Sequence, residues 1–599
     1  MRKIVHNLFA FLSASAFFLM AAHAPAQTRQ PGAATRSLHA LFDAEWEYSM
    51  RENPTFASSL GDRRYNDRWD DVSLAAIERR HAHDAEVLTQ LKAIDRAQLS
   101  APDQLNYDLF KKEYETSLED YKYRWQLVPL NQRGGIQTED DLGDQLRFTT
   151  VKDYDDWIAR LNNFPTHMDQ TIALLREGVR VRMVHPRIIS ERIPAQIDKQ
   201  IVATADESPF SRPFKRIPDS FNAADRARIL AAGREAISAR VVPSFRKMKE
   251  FFTNEYIPAS YPEVGAWQMP DGAEMYAFEA RRYTTTNLTP KEIHEIGLAE
   301  VKRIHAGMEA ILKRVGFNGS LPDFFKYLRT DPKFYYNSPE ELLNAYRAQA
   351  KLIEPRLLRV FRTLPRQPYG VEPIPDNVAP DTTTAYYQQG APDGSRAGAF
   401  TVNLYKPETR PKYEMMALAL HESVPGHHLQ IALAQELGEV PKFRRYQNDY
   451  TAFVEGWGLY AESLGEEMGL YDDPYAKFGQ LTYEMWRAVR LVVDTGIHSM
   501  HWTRQQAIDY FTANAAKTEL DIVNEIDRYI AWPGQALAYK IGELKIKELR
   551  ARAARELGDR FDVREFHEVV LGSGAIPLDV LERNINDWIA AKKRNTNGE

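Results

Sequence analysis

Apolar residues recur every three or four positions over long stretches of this chain, with charged residues filling the intervals. The stretches 74–94, 153–179, 223–252 and 291–315 keep this rhythm, which places their apolar side chains on one face of a helix. Several helix starts are signed. Thr289-Pro290-Lys291-Glu292 offers an N-cap threonine, a first-turn proline and a glutamate placed to close a capping box. Ser338-Pro339-Glu340-Glu341 repeats the device, and Thr503-Arg504-Gln505-Gln506 does so without the proline. Two regions break the rhythm. Residues 256–286 are rich in Pro, Gly and aromatics, and within them 275–278 and 281–285 read as extended. Residues 365–407 open with a proline-rich loop and hold a β-prone run at 399–404, bounded by Gly398 and Pro407. The pattern predicts a mainly α protein with a small β-sheet. A helical N-terminal region spans 38–255, and the region 256–599 carries the chemistry.

The N-terminus adds a destination. Arg2 and Lys3 precede an apolar run over 8–22, and Ala22-His23-Ala24 and Ala24-Pro25-Ala26 are small-x-small cleavage patterns. At about fifteen residues the run is shorter than the roughly twenty a membrane span needs. It reads as a signal peptide over 1–26, cut after Ala26, followed by a disordered leader over 27–37. No later segment reads as a span. The chain has no cysteine, hence no lipid-attachment cysteine and no disulfides. These features point to a periplasmic or secreted protein. A net charge of -6 speaks against a nucleic-acid partner.

Candidate chemistry concentrates in Leu420-His421-Glu422-Ser423-Val424-Pro425-Gly426-His427-His428, where three imidazoles and a carboxylate lie within eight positions. A zinc hydrolase needs three protein ligands, an open position, and a carboxylate to take a proton from the attacking water. The usual helical pair of histidines stands at i and i+4, but four residues after His421 comes Pro425. On a straight helix His427 would be turned by about 600° and His428 would sit about 10.5 Å along the axis. Neither could share an ion with His421. Pro425 and Gly426 must therefore break the helix. If the break loops out two residues, His427 becomes the second ligand; His428 is the alternative. Glu455, set among apolar and small residues, is the expected third ligand, unless it pairs with Arg487 or Arg490. Glu462 lies two turns further along the same face and could orient a ligand histidine. Glu422 is the expected base.

The run from His421 to Gln430, followed by Phe453-Val454-Glu455-Gly456-Trp457, resembles the bacterial DUF885 family. That family in turn resembles gluzincin-type zinc metallopeptidases, both angiotensin-converting-enzyme-like and thermostable-carboxypeptidase-like. Residues 275–285, 399–403 and Trp532-Pro533-Gly534-Gln535 are similar to further family segments, so the likeness spans most of the mature chain. The resemblance implies a large helical ellipsoid enclosing a deep channel. It implies that the strand at 399–404, Asn403 included, lies beside the metal and pairs with peptide through free backbone groups. It implies that Tyr529 stabilises the oxyanion, with Tyr539 its rival. Arg490, Asp494 and His498 share one helix face, with His501 just beyond, and could hold a substrate carbonyl or carboxylate; an Arg-Asp ion pair would serve structure instead. Arg528 and Lys540 could receive a terminal carboxylate. The resulting expectation is a zinc hydrolase cleaving short peptides. An amidase or esterase, or an inactive binding protein of the same fold, is the alternative.

Overall fold

The computed structural model describes residues 32–376, 379–381, 383–438, 440–446 and 450–594. Helices form where the apolar spacing predicts them. Helix α1 (Ala33–Glu52), α2 (Leu74–Lys92), α3 (Val151–Val181) and α4 (Ala223–Ala236) build the N-terminal part, and α4 runs on through a wider turn at 237–241 into the segment Val242–Phe251. The predicted signal peptide lies outside the described residues. Of the predicted leader over 27–37, residues 33–37 belong to α1, because Leu38, Leu41 and Phe42 need a helix to reach one buried face.

A second correction concerns 275–285, which is helical: α5 spans Gly272–Thr284. Met275, Tyr276, Phe278 and Glu279 are buried along it, so burial at helical spacing outweighs the β preference of its aromatic residues. Helix α6 (Pro290–Arg314) begins with the expected capping box from Thr289 to Glu292.

Three short strands follow: β1 (Tyr369–Pro373), β2 (Ala385–Gln388) and β3 (Gly398–Val402). Their order is β1-β3-β2, with β1 parallel and β2 antiparallel to β3. The strand expected to offer free backbone groups is therefore the central one, bonded on both sides. The free edge beside the later helices belongs to β2.

Helices α7 (Met415–Glu422), α8 (His427–Gln435), α9 (Thr451–Leu464), α10 (Pro474–Ser499), α11 (Glu519–Ala531) and α12 (Ala538–Leu557) complete the parts used below. Every residue of α10 from Phe478 to His498 is buried, polar ones included. It is the axle of the molecule, contacted by α6, α7, α11 and α12. Helices α9 and α12 touch closely because glycines face each other; a Cβ on Gly456 would lie 2.6 Å from Gly542 backbone. One hydrophobic core runs from Trp69 to Ile589 and takes in residues on both sides of position 255. The fold is mainly α with a small sheet, as expected. Among the described residues, no helix is long and apolar enough to cross a membrane.

Candidate metal centre

His421 and Glu422 are the last two residues of α7, whose eight residues are all buried. The helix stops because Ser423 leaves helical torsions (φ -99, ψ -120) and Pro425 supplies no amide hydrogen. A new helix, α8, starts at His427. The chain doubles back so tightly that a Cβ on Gly426 would lie 1.9 Å from the His421 carbonyl oxygen. The Trp457 indole of α9 donates to the Pro425 carbonyl at 2.8 Å and ties the break to the next helix. His427 is thereby turned back upon His421, with ring centroids 4.7 Å apart and planes nearly perpendicular.

Glu455 of α9 closes the group. Its Oε2 stands 3.4 Å from Nε2 of His421 and 3.4 Å from Nε2 of His427. The three donor atoms all lie within 4.8 Å of one another. Two ligands each about 2 Å from a tetrahedral zinc stand about 3.3 Å apart, so the carboxylate spacings suit a shared ion. That Oε2 is buried and, among the described residues, accepts no hydrogen bond. A buried oxygen without a donor is costly, and a cation between the three atoms would satisfy it. The donor set, two imidazole nitrogens and a carboxylate, fits zinc.

A further shell holds the histidines. Nδ1 of His421 donates to Glu462 Oε1 at 2.8 Å, and Glu462 is fully buried. Arg487 does not pair with Glu455; its Nη2 lies 3.5 Å from Glu462 Oε1. The His421 ring rests against α9 where only glycine fits, since a Cβ on Gly458 would lie 2.8 Å from it. Burial opposes a charge on His421, but Glu455 and Glu462 outweigh it and push the imidazole up to about 10. Burial likewise opposes charge on Glu455, and His427 and His421 pull its carboxyl well below the ordinary range. Both shifts express one fact: two carboxylates converge on two imidazoles and call for positive charge between them.

His428 lies outside this cluster. Successive helical residues point about 100° apart, so it faces the sheet. Its Nδ1 accepts from the Tyr387 hydroxyl and its Nε2 donates to the Gln367 carbonyl, each at 3.0 Å. Burial pulls it down to about 4.

The cluster opens on a pocket of about 240 Å³. Glu422 lines it beside the three donors, as do Thr383 to Tyr387 along the edge strand β2. Of the two candidate tyrosines, Tyr539 lines the pocket. Its hydroxyl accepts from Arg528 at 3.1 Å and keeps its own hydrogen for another partner. Tyr529 does not serve as expected. Its hydroxyl donates to Glu525 and accepts from Arg490 and Trp486, so it is saturated behind the wall.

Arg528 lines the pocket, but three other predicted substrate contacts do not. The Asn403 amide donates to the carbonyls of Ala379 and Thr383 and anchors the approach to β2. His498 accepts from the Ala266 amide and donates to the Tyr529 carbonyl, which occupies both ring nitrogens. Lys540 is fully buried among Glu300, Glu484 and Glu543. The Arg490–Asp494 pair is also absent: Arg490 meets Glu525, and Asp494 accepts from the Tyr276 hydroxyl and the Gly534 amide. His501 stacks on Trp267.

Sequence reasoning missed Arg133, Tyr483, Trp486 and Trp532, which also line the pocket. Tyr483 and Trp486 stand four residues before Arg487 and Arg490 respectively on the buried helix, a signal in reach of the pattern. Arg133 sits in a glycine-bearing loop and carries none.

No curated protein matches the chain. Solved structures do. One, described as a "putative lipoprotein" of Colwellia psychrerythraea, is 29% identical, with a TM-score of 0.87 over 93% of this chain and 99% of its own. Another, a "putative lipoprotein of unknown function" from Shewanella oneidensis, is 17% identical with a TM-score of 0.68 over 92% of this chain and 99% of its own, and shares the fold. The model of the family described as "Bacterial protein of unknown function (DUF885)" matches residues 54–585. The chain belongs to the DUF885 family.

Proposed function

We propose that this protein is an exported, zinc-dependent hydrolase that cleaves short peptides. One observation carries the reading: Nε2 of His421, Nε2 of His427 and the unpartnered Oε2 of Glu455 converge at the wall of a pocket that Glu422 also lines. His421, His427 and Glu455 would hold the ion. Zinc, when bound, supplies Lewis acidity, making water more acidic and a carbonyl more electrophilic. The remaining work falls to the chain. Glu422 takes a proton from the attacking water and hands it to the leaving amine. Tyr539, whose oxygen already accepts from Arg528, donates its hydrogen to the carbonyl oxygen as negative charge grows there. The free edge of β2 binds the substrate backbone as an added strand.

The gluzincin likeness of the His421 to Gln430 segment supports a peptide over other amides. Export is supported by the basic and apolar N-terminal stretch and by the descriptions of the two structural relatives as lipoproteins. The 599 residues contain no cysteine.

Metal analysis of the purified protein is expected to find stoichiometric zinc. Glu422→Gln is expected to keep that zinc and to lower turnover of a short-peptide library by at least ~100-fold. Protein without zinc, or an unchanged turnover in the variant, overturns the reading.

A further inference from the structure

A second cavity, of about 770 Å³, lies between the helix Ala101–Asp120, the C-terminal end of α5 and the start of α9. It abuts the metal pocket, and among the described residues the two share no lining side chain. Tyr283 lines the cavity, Trp532 lines the pocket, and the Trp532 indole donates to the Tyr283 hydroxyl at 2.6 Å. Arg444 lines the cavity and is buried, at 6% exposure. Its Nη1 donates to the Asn106 side-chain oxygen at 2.7 Å and its Nη2 to the Ser573 carbonyl. Both partners are neutral. Its Nε is buried without a partner, and among the described residues no carboxylate lies within ion-pair distance of it. Burial accordingly pulls the guanidinium down to about 10.

The acids of the cavity gather toward its other end. Glu119 pairs with Arg281 at 2.7 Å. Asp120 has Arg282 as its charged neighbour, and burial pushes its carboxyl up. Asp120 stands fourteen residues beyond Asn106 on their shared helix, about 21 Å along the axis from the residue that holds Arg444. The Arg444 end is basic by contrast. Tyr450 and Thr451, the N-cap and first residue of α9, line the cavity there. No side chain caps that helix start, and no acid stands in its first turn. Lys112, half-buried, also lines the cavity and has no ion pair among the described residues.

A buried cation without a counter-ion is costly, and here the positive end of a helix borders the same space. We propose that the Arg444 end of this cavity binds the oxyanion group, carboxylate or phosphate, of a small molecule, held by Arg444, Lys112 and the first amides of α9. Guanidinium bonds to an oxyanion are charge-assisted, and uncapped amides at a helix start receive anions readily. The volume of about 770 Å³ falls within the roughly 300–1,000 Å³ of small-molecule sites, so there is room for the body of the ligand beyond its charged group. Phe278 and Phe443 offer that body an apolar wall. The occupant sits at the start of the helix that carries Glu455 and Glu462, one turn before the first of them.

Calorimetry on the full-length protein tests the site, with inorganic phosphate and succinate as probes. At least one of them is expected to bind. Tighter binding of phosphate assigns the site to a phosphorylated ligand, and tighter binding of succinate to a carboxylate. Thr451→Glu sets a carboxylate at the first position of α9, where it suits the helix but takes the place of the anion. It is expected to weaken the tighter probe at least ~10-fold at an unchanged or higher Tm. Arg444→Gln is expected to weaken it by at least ~10-fold as well. That variant also gives up bonds to Asn106 and Ser573 and is expected to melt lower, so Thr451→Glu decides. Binding at the metal pocket or elsewhere would survive Thr451→Glu. Failure of both probes to bind, or an isotherm that Thr451→Glu leaves unaltered, overturns the site. The measurement involves no turnover, so it stands apart from the hydrolase reading.

Discussion

Two buried charge clusters stand on either side of the α9–α12 contact, and they settle their charges in opposite ways. At Lys540 the ammonium, fully buried, lies 2.8 Å from Glu484, 3.0 Å from Glu300 and 2.5 Å from Glu543. Arg303 meets Glu300 and Glu484, and Lys547 meets Glu543 and Glu484. Every carboxylate there has a cation, and Lys540 lines no pocket described above. At His421 the balance is left open. Among the described residues, Glu455 Oε2, Glu462 Oε2 and His427 Nδ1 are all buried without a hydrogen bond, and the group borders a cavity. A buried network closed on itself serves the fold. One left open toward a cavity is, on the proposed reading, where a cation from outside would sit.

The strongest way to break this comparison is to open the closed cluster. Lys540→Ala would leave three buried carboxylates short of their central cation. It is expected to cost about 3–5 kcal/mol in denaturant-induced unfolding, with or without zinc. A cost near zero would mean that the closed cluster is no more structural than the open one.

Asp494 sharpens the contrast by a third solution, a buried carboxyl that holds its proton up to about pH 7. Burial pushes it up to about 7 despite hydrogen bonds from Tyr276 and the Gly534 amide and the nearby Arg490 and Arg528. Its folded value lies above the ordinary 3.8, so its contribution is fully present below pH 3.8 and is lost as pH rises through about 7. The stability of Asp494→Asn relative to wild type is therefore expected to rise between pH 4 and 7. At 1.36 kcal/mol per pH unit the rise is at most about 4 kcal/mol. Denaturation at a series of pH values reads it, and a flat difference would place a cation beside Asp494.

The open cluster makes the converse prediction. Zinc at 100 times its dissociation constant is expected to stabilise metal-stripped protein by about 2.7 kcal/mol. Glu455→Ala is expected to abolish that gain, as read from Tm with and without zinc. A variant that keeps the gain removes Glu455 from the ligand set.

How much of this was legible in the sequence depended on distance along the chain. The grouping of His421, Glu422 and His427 could be read because its cause, the Pro425-Gly426 break, sits between them. Glu455 and Glu462 could be read because acids among small and apolar residues need a reason to be there. The mainly α fold followed from spacing alone. What could not be read was which polar group is already taken. Tyr529 and Tyr539 look alike until Trp486 and Glu525, from two different helices, are seen on the first. Likewise the run at 399–404 reads as a strand, but its place in the sheet depends on β1, thirty residues earlier and hidden in a proline-rich stretch. His428 needed Gln367 and Tyr387 to explain it.

The smallest expected effect tests the finest part of the contrast, the single hydrogen bond that Glu462 accepts from His421. Among the described residues His427 has no partner on Nδ1, whereas His421 donates its Nδ1 hydrogen to Glu462 at 2.8 Å. With a cation bound, that bond would fix the tautomer whose Nε2 lone pair faces the ion, and the buried carboxylate makes the imidazole more basic. Glu462→Gln keeps the shape and an acceptor oxygen but removes the charge. Zinc affinity is expected to fall about 10- to 100-fold, the usual cost of losing such a partner. The corresponding His427 environment offers nothing to remove. Competition against a chelator of known affinity measures the change. If Glu462→Gln binds zinc as tightly as wild type, Glu462 belongs with the closed cluster around Lys540, holding helices together rather than aiming a ligand.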